Sequence, residues 1–128
     1  MQKHPGFCRV DNALEILVGK WKPIILLYLL QEGTKRFSEL KRHLPEISQK
    51  MLTQNLRELE AEEIIERIVY PEVPPRVEYS MTEYGRSLEP ILDAMHDWGT
   101  RHVQRKSQKG LEQAAKGQEP QIHAAELP

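Results

Sequence analysis

Between Ile47 and Gly85 the chain reads ISQKMLTQNLRELEAEEIIERIVYPEVPPRVEYSMTEYG, and its periodicity changes twice. Ser48 is a good N-cap. Leu52, Leu56 and Leu59 follow at three- and four-residue steps, which predicts a helix to about Ala61. The other side of that helix carries Gln49, Lys50, Thr53, Gln54 and Arg57, all able to hydrogen-bond. Ile64–Tyr70 and Arg76–Met81 are rich in β-branched and aromatic residues, with Pro71, Pro74 and Pro75 between them. Prolines cannot donate to a ladder, so these are two strands of a hairpin whose loop holds the prolines. Thr82 is suited to cap a new helix.

Upstream, Ser38 is placed to cap a short helix over Glu39–Leu44, with Phe37 as an apolar staple and Pro45 as its stop. A short helix, a turn, a second helix with a hydrogen-bonding face and then a hairpin make a winged helix-turn-helix. The fold class is mainly α with a small β-hairpin, and double-stranded DNA is the first partner to consider.

Further out, Asp11 can cap a helix whose stripe is Ala13, Leu14, Leu17 and Val18, ending at Gly19. Trp21 and Pro23 open a second, Pro23 lying in the first turn where its missing N–H costs nothing. Ile24–Leu30 is apolar nearly all round, and Gly33 stops it. After Thr82, Pro90 sits too deep for one continuous helix, so a kink or restart is expected near Leu88–Pro90. Ile91, Leu92, Met95, Trp98 and His102 then repeat at helical spacing. From Gln104 onward the apolar periodicity is lost, which predicts a disordered tail. The expected organisation is an arm over 1–10, a winged helix domain with flanking helices over 11–103, and a tail over 104–128.

Composition narrows the function. A chain of 128 residues holds one domain plus tails. Its longest apolar run, Ile24–Leu30, is far short of the roughly 20 residues that span a bilayer. The start, MQKHPGFCRVDN, lacks the apolar core of a signal peptide, which predicts a cytoplasmic protein. The net charge is only −1, but from Lys35 to Arg57 six cationic side chains face two carboxylates. A local basic zone on a near-neutral protein suits specific binding with a moderate electrostatic part. There is no Gly-rich phosphate loop, nucleophile elbow or paired-carboxylate site, so the reading is not an enzyme and needs no cofactor. The five histidines form no metal-ligand set.

The chain resembles the HxlR-type transcriptional regulators, a bacterial winged-helix group similar in shape to the MarR regulators. The residues that carry the resemblance are Cys8 before the first helix, GKWKPIILLYLL at 19–30, RFSELKRHLPEISQKMLTQNLRELE at 36–60, VPPRVEYSMTEYGRSL at 73–88 and Trp98–Gly99. It covers about residues 8–103. It implies a homodimer whose first and last helices form the interface, acting on a nearby promoter through a palindromic operator. One position departs from the pattern. Glu63 stands where the family usually has glycine, which would give an easy positive φ at the helix end.

In the major groove each base pair shows a distinct pattern of donors and acceptors. Gln49 and Gln54 can pair with adenine, Lys50 or Arg57 with guanine, and the Thr53 methyl with thymine. Ser48 and the helix N-terminus can hold a phosphate. Arg36, Ser38, Lys41 and Arg42 suit positioning on the backbone rather than reading. Arg76, beside the hairpin turn, can reach the minor groove or a phosphate. Arg67 comes second to it, and can instead pair with Glu66 or Glu78. The other reading of the same fold is a winged-helix module that binds protein; such modules usually lack hydrogen-bonding side chains on the third helix.

Cys8 lies beside Lys3, His4 and Arg9, ahead of a helix N-terminus, and cationic neighbours raise a thiol's thiolate fraction. Such a cysteine can be oxidised or alkylated by a small thiol-reactive electrophile. With no second cysteine, a disulfide must be intersubunit or mixed with a small thiol. Within the resembled family a cysteine here is the sensor of a redox- and quinone-responsive subgroup. The plain alternative is an apolar side chain packed in the dimer interface.

Overall fold

The computed structural model describes residues 9–17 and 19–116. Two compact units are present, one ending at Leu92 and one beginning at Asp93. The first holds α1 (Val10–Leu17), α2 (Trp21–Glu32), β1 (Lys35–Arg36), α3 (Phe37–His43), α4 (Gln49–Ala61), β2 (Ile65–Tyr70), β3 (Arg76–Met81) and α5 (Glu83–Arg86). It also holds the start of α6 (Glu89–Lys116). Its core is aliphatic: Ile25, Leu26 and Leu29 of α2, Leu40 of α3, and Leu52, Leu56 and Leu59 of α4 are buried together with Ile47, Ile65, Met81 and Leu92. Each such side chain contributes about 1.5–3 kcal/mol on leaving water.

Two of the four predicted N-caps open their helices. Ser48 Oγ accepts the Met51 N–H at 3.0 Å and starts α4 at Gln49. Thr82 Oγ1 accepts the Gly85 N–H at 2.8 Å and starts α5. The helix breaks over Ser87 and Leu88 and restarts at Glu89, with Pro90 in the first turn of α6.

Four details differ from the sequence reading. The hairpin gains a third strand, because β1 pairs antiparallel with β3 (Lys35 opposite Tyr79, Arg36 opposite Glu78), giving the order β1-β3-β2. That extended entry makes Arg36 the N-cap of α3 and puts Ser38 inside the first turn; the Glu39 carboxylate accepts the Arg36 N–H at 2.8 Å instead. Asp11 is likewise inside the first turn of α1, where Asn12 and Ala13 donate to the Arg9 carbonyl at 3.1 and 3.3 Å. Finally, α6 runs on through Lys116 rather than stopping near residue 103. Residues 104–114 are exposed throughout, and Gln, Lys, Arg and Ala hold a helix by propensity without any apolar stripe.

The end of α4 decides how the hairpin leaves it. Glu63 N–H donates to Glu60 O at 2.9 Å and Ile64 N–H to Leu59 O at 3.0 Å, the two bonds of a Schellman motif. Glu63, at the position that must turn left-handed, has φ +63°. A side chain there is strained by about 1 kcal/mol or more, which glycine would escape. Glu63→Gly is therefore expected to stabilise the protein by about 1 kcal/mol, a rise of several degrees in thermal midpoint. A melting curve unchanged or shifted down would show that the left-handed turn stores no strain.

Candidate nucleic-acid interface

The core stripe of α4 fixes where its polar residues point. At 3.6 residues per turn, Lys50, Gln54 and Arg57 lie opposite the buried Leu52, Leu56 and Leu59. Gln49 and Thr53 flank them on one side. That flank borders an open groove of about 510 Å³ lined by Gln49, Thr53 and Arg57 of α4, Arg67 of β2, and Phe37, Glu60 and Tyr79. Five candidates from the sequence thus share one continuous arc of α4, and the wing strand adds Arg67 to it.

Arg67, placed second to Arg76 in the sequence reading, lines this groove, whereas Arg76 does not. In β2, alternate side chains share a face. Buried Ile65 lies opposite Met81, so Arg67, opposite Tyr79, turns to the same helix-facing side. The signal was the position of Arg67 two residues after a core isoleucine. Neither Arg57 nor Arg67 belongs to an ion pair among the described residues, so both guanidiniums are available to an anion.

Gln54 is not free on both sides. Its Nε2 donates to Glu58 Oε2 at 2.6 Å. The other oxygen of Glu58 meets Lys22 Nζ of α2 at 2.7 Å, and Lys22 is nearly buried. The hydrogen bonds from Lys22, first, and from Gln54 hold the Glu58 carboxyl below the usual carboxylate range, which keeps it an acceptor at neutral pH. The bond to Glu58 uses one of the two Nε2 donors of Gln54 and leaves the other, together with Oε1, for a base edge.

A second groove, about 530 Å³, lies between the first turn of α3 and the wing loop and is lined by Arg36, Ser38, Glu72, Pro74 and Arg76, among others. Arg36, Ser38 and Arg42 are exposed. Lys41 is half-buried, its ammonium donating to Pro45 O at 3.4 Å across the turn into α4. Glu39, beside them, is held below the usual carboxylate range first by the Arg36 N–H and then by the charges of Lys35, Arg36 and Arg42. Arg76 is not a free finger. Its Nη2 is 3.3 Å from Glu72 Oε2, its Nε is 3.6 Å from Glu78 Oε2, and its guanidinium lies 4.0 Å above the Tyr70 ring. Cys8 lies outside the described residues.

In the second unit, Met95 and Trp98 of α6 are exposed, Trp98 at 60%, and the Trp98 ring stacks on His102 at 4.9 Å between centroids. No described helix is long and apolar enough to cross a membrane.

Comparison with known proteins agrees with this fold. The transcriptional regulator YtcD of Bacillus subtilis (strain 168), an HTH-type protein, is 56% identical over 105 residues, 82% of each chain. The crystal structure of YtcD superposes with a TM-score of 0.71 at 58% identity, covering 76% of this chain and 98% of that one. The redox regulator HypR in its oxidized form gives 0.70 at 51% identity, over 73% of this chain and 96% of that one. In its reduced form HypR gives 0.72 at 48%, over 77% and 99%. The HxlR-like helix-turn-helix family matches residues 16–107, and the chain belongs to that family.

Proposed function

We propose that this protein is a DNA-binding transcriptional regulator that reads an operator with α4 and its wing. The observation that carries this is the groove shared by Gln49, Thr53, Arg57 and Arg67, two arginines without an ion pair among the described residues, set among hydrogen-bonding side chains at the edge of a helix of groove-filling length. The protein acts as a homodimer on a pseudopalindromic operator, with half-sites about one helical turn apart. Exposed Met95 and Trp98 support that assembly, since apolar side chains on one helix face favour burial against a second copy.

Cys8 is the thiol through which the regulator senses oxidants or electrophiles. The likeness to HypR, solved in oxidized and reduced forms, supports this. Because the chain has one cysteine, any disulfide it forms is intersubunit or mixed with a small thiol. The experiment is a titration of the protein against the DNA upstream of its own gene, with and without diamide, for wild type and Cys8→Ser. Selective binding that steepens in loss with added salt is expected of the DNA reading. Diamide should change wild-type affinity several-fold and leave Cys8→Ser unmoved; equal responses of the two proteins would remove Cys8 from the mechanism.

A further inference from the structure

The wing carries its own anions. Glu72 precedes Arg76 by four residues and Glu78 follows it by two, and both carboxylates converge on the one guanidinium. Neither contact is tight. A charge-assisted N–H···O bond is about 2.7–2.9 Å long, whereas these separations are 3.3 and 3.6 Å. Arg76 Nε is buried yet has no hydrogen-bond partner among the described residues, so the guanidinium is neutralised without being satisfied. A buried donor left unmatched favours any arrangement that supplies an acceptor. The groove beside it is walled on its other side by Arg36 and Ser38, with a volume of about 530 Å³. That is room for a phosphate group between two arginines.

We propose that Glu72 and Glu78 are specificity-determining residues that occupy Arg76 in place of a DNA phosphate, so that the wing grips only DNA whose backbone delivers a phosphate into the groove by Arg36. This rests on the DNA-binding reading above. While the clamp is closed the wing loop shows no net positive charge, and DNA of arbitrary shape gains little from it. A backbone correctly placed by the readout of α4 displaces the carboxylates, satisfies Arg76 Nε and engages Arg36. The wing then responds to the path of the backbone, which is sequence-dependent, rather than to charge alone.

The test compares wild type, Glu72→Gln/Glu78→Gln, Arg76→Ala and the triple variant on operator DNA and on a scrambled duplex, across a range of salt. The Gln pair should bind the scrambled duplex about fivefold more tightly, the scale of a freed surface charge. Its plot of log affinity against log salt should steepen by about 0.9, one added phosphate contact. Operator binding should gain less, so selectivity falls. Arg76→Ala alone should change scrambled binding little, and in the triple variant it should erase the gain. An unchanged or weaker Gln pair overturns the clamp, as does a gain that survives Arg76→Ala, since that would be simple relief of repulsion. Wild type that binds neither duplex would refute the DNA reading instead, which keeps the two failures apart.

Discussion

Gly85→Ala is expected to destabilise the protein by about 3 kcal/mol, at the upper end of what a buried extra methyl group costs. A Cβ built there would stand 2.1 Å from the Ile64 carbonyl oxygen and 3.1 Å from the Met81 Cε. The methionine can swing away, but the carbonyl belongs to backbone that has no slack. Ile64 O already accepts the Thr82 N–H at 3.1 Å, and Thr82 Oγ1 donates to Glu63 O at 2.7 Å while accepting from Gly85 N. The end of α4, the end of β3 and the start of α5 are therefore fastened at one point. Moving any of them breaks bonds at a partly buried junction. The fall in thermal midpoint should be on the order of 10–20 °C for a domain of this size. Gly110→Ala, on α6 with nothing among the described residues within 4 Å of the added carbon, should do the opposite by about 0.5–1 kcal/mol through helix propensity. If Gly85→Ala melts within two or three degrees of wild type, the fastening is looser than the distances imply.

That junction matters for binding as well as for stability. It sets the angle at which β2 leaves α4, and hence where Arg67 stands relative to Gln49, Thr53 and Arg57. A Gly85→Ala protein that still folds is expected to lose the part of its affinity that depends on the wing while α4 itself is untouched. The Glu63→Gly variant makes the contrast, since it relieves strain at the same junction without moving the backbone.

What the sequence could show was whatever depends on neighbours in the chain. The Ser48 cap, the Leu52–Leu56–Leu59 stripe, the prolines between two β-branched runs and the depth of Pro90 are all local signals, and each element they announce is present. The two residues of β1 are too short to show a period of their own and become a strand only by pairing with β3 across more than forty residues of chain. Ser38 has the right chemistry for a cap, but that pairing moved the helix start forward by two residues. The site divides along the same line. The outward arc of α4 follows from 3.6-residue geometry, whereas the fates of its side chains depend on distant partners. Gln54 is tied through Glu58 to a lysine on another helix, and Arg76 is held by the wing's own carboxylates. No spacing rule distinguishes Arg57, which makes no ion pair among the described residues, from the held Arg76; only the ion pairs do.

Arg57 is accordingly where loss of a single side chain should be most costly to recognition. It projects from the centre of the outward arc, borders the groove shared with Arg67, and makes no ion pair among the described residues. A guanidinium so placed can meet the O6 and N7 of guanine together, a contact that gives about 1–3 kcal/mol of discrimination. Arg57→Ala should then weaken operator binding by roughly 10- to 100-fold while changing affinity for scrambled DNA far less. Arg57→Lys should restore little, because an ammonium cannot reproduce the planar fork. A backbone contact would behave differently. It would cost operator and scrambled DNA alike, lower the salt slope by about 1, and be largely recovered by lysine. The two patterns do not overlap, so one set of titrations with these variants assigns Arg57 to base reading or to phosphate positioning. Equal affinities for all three proteins would take Arg57 out of DNA recognition.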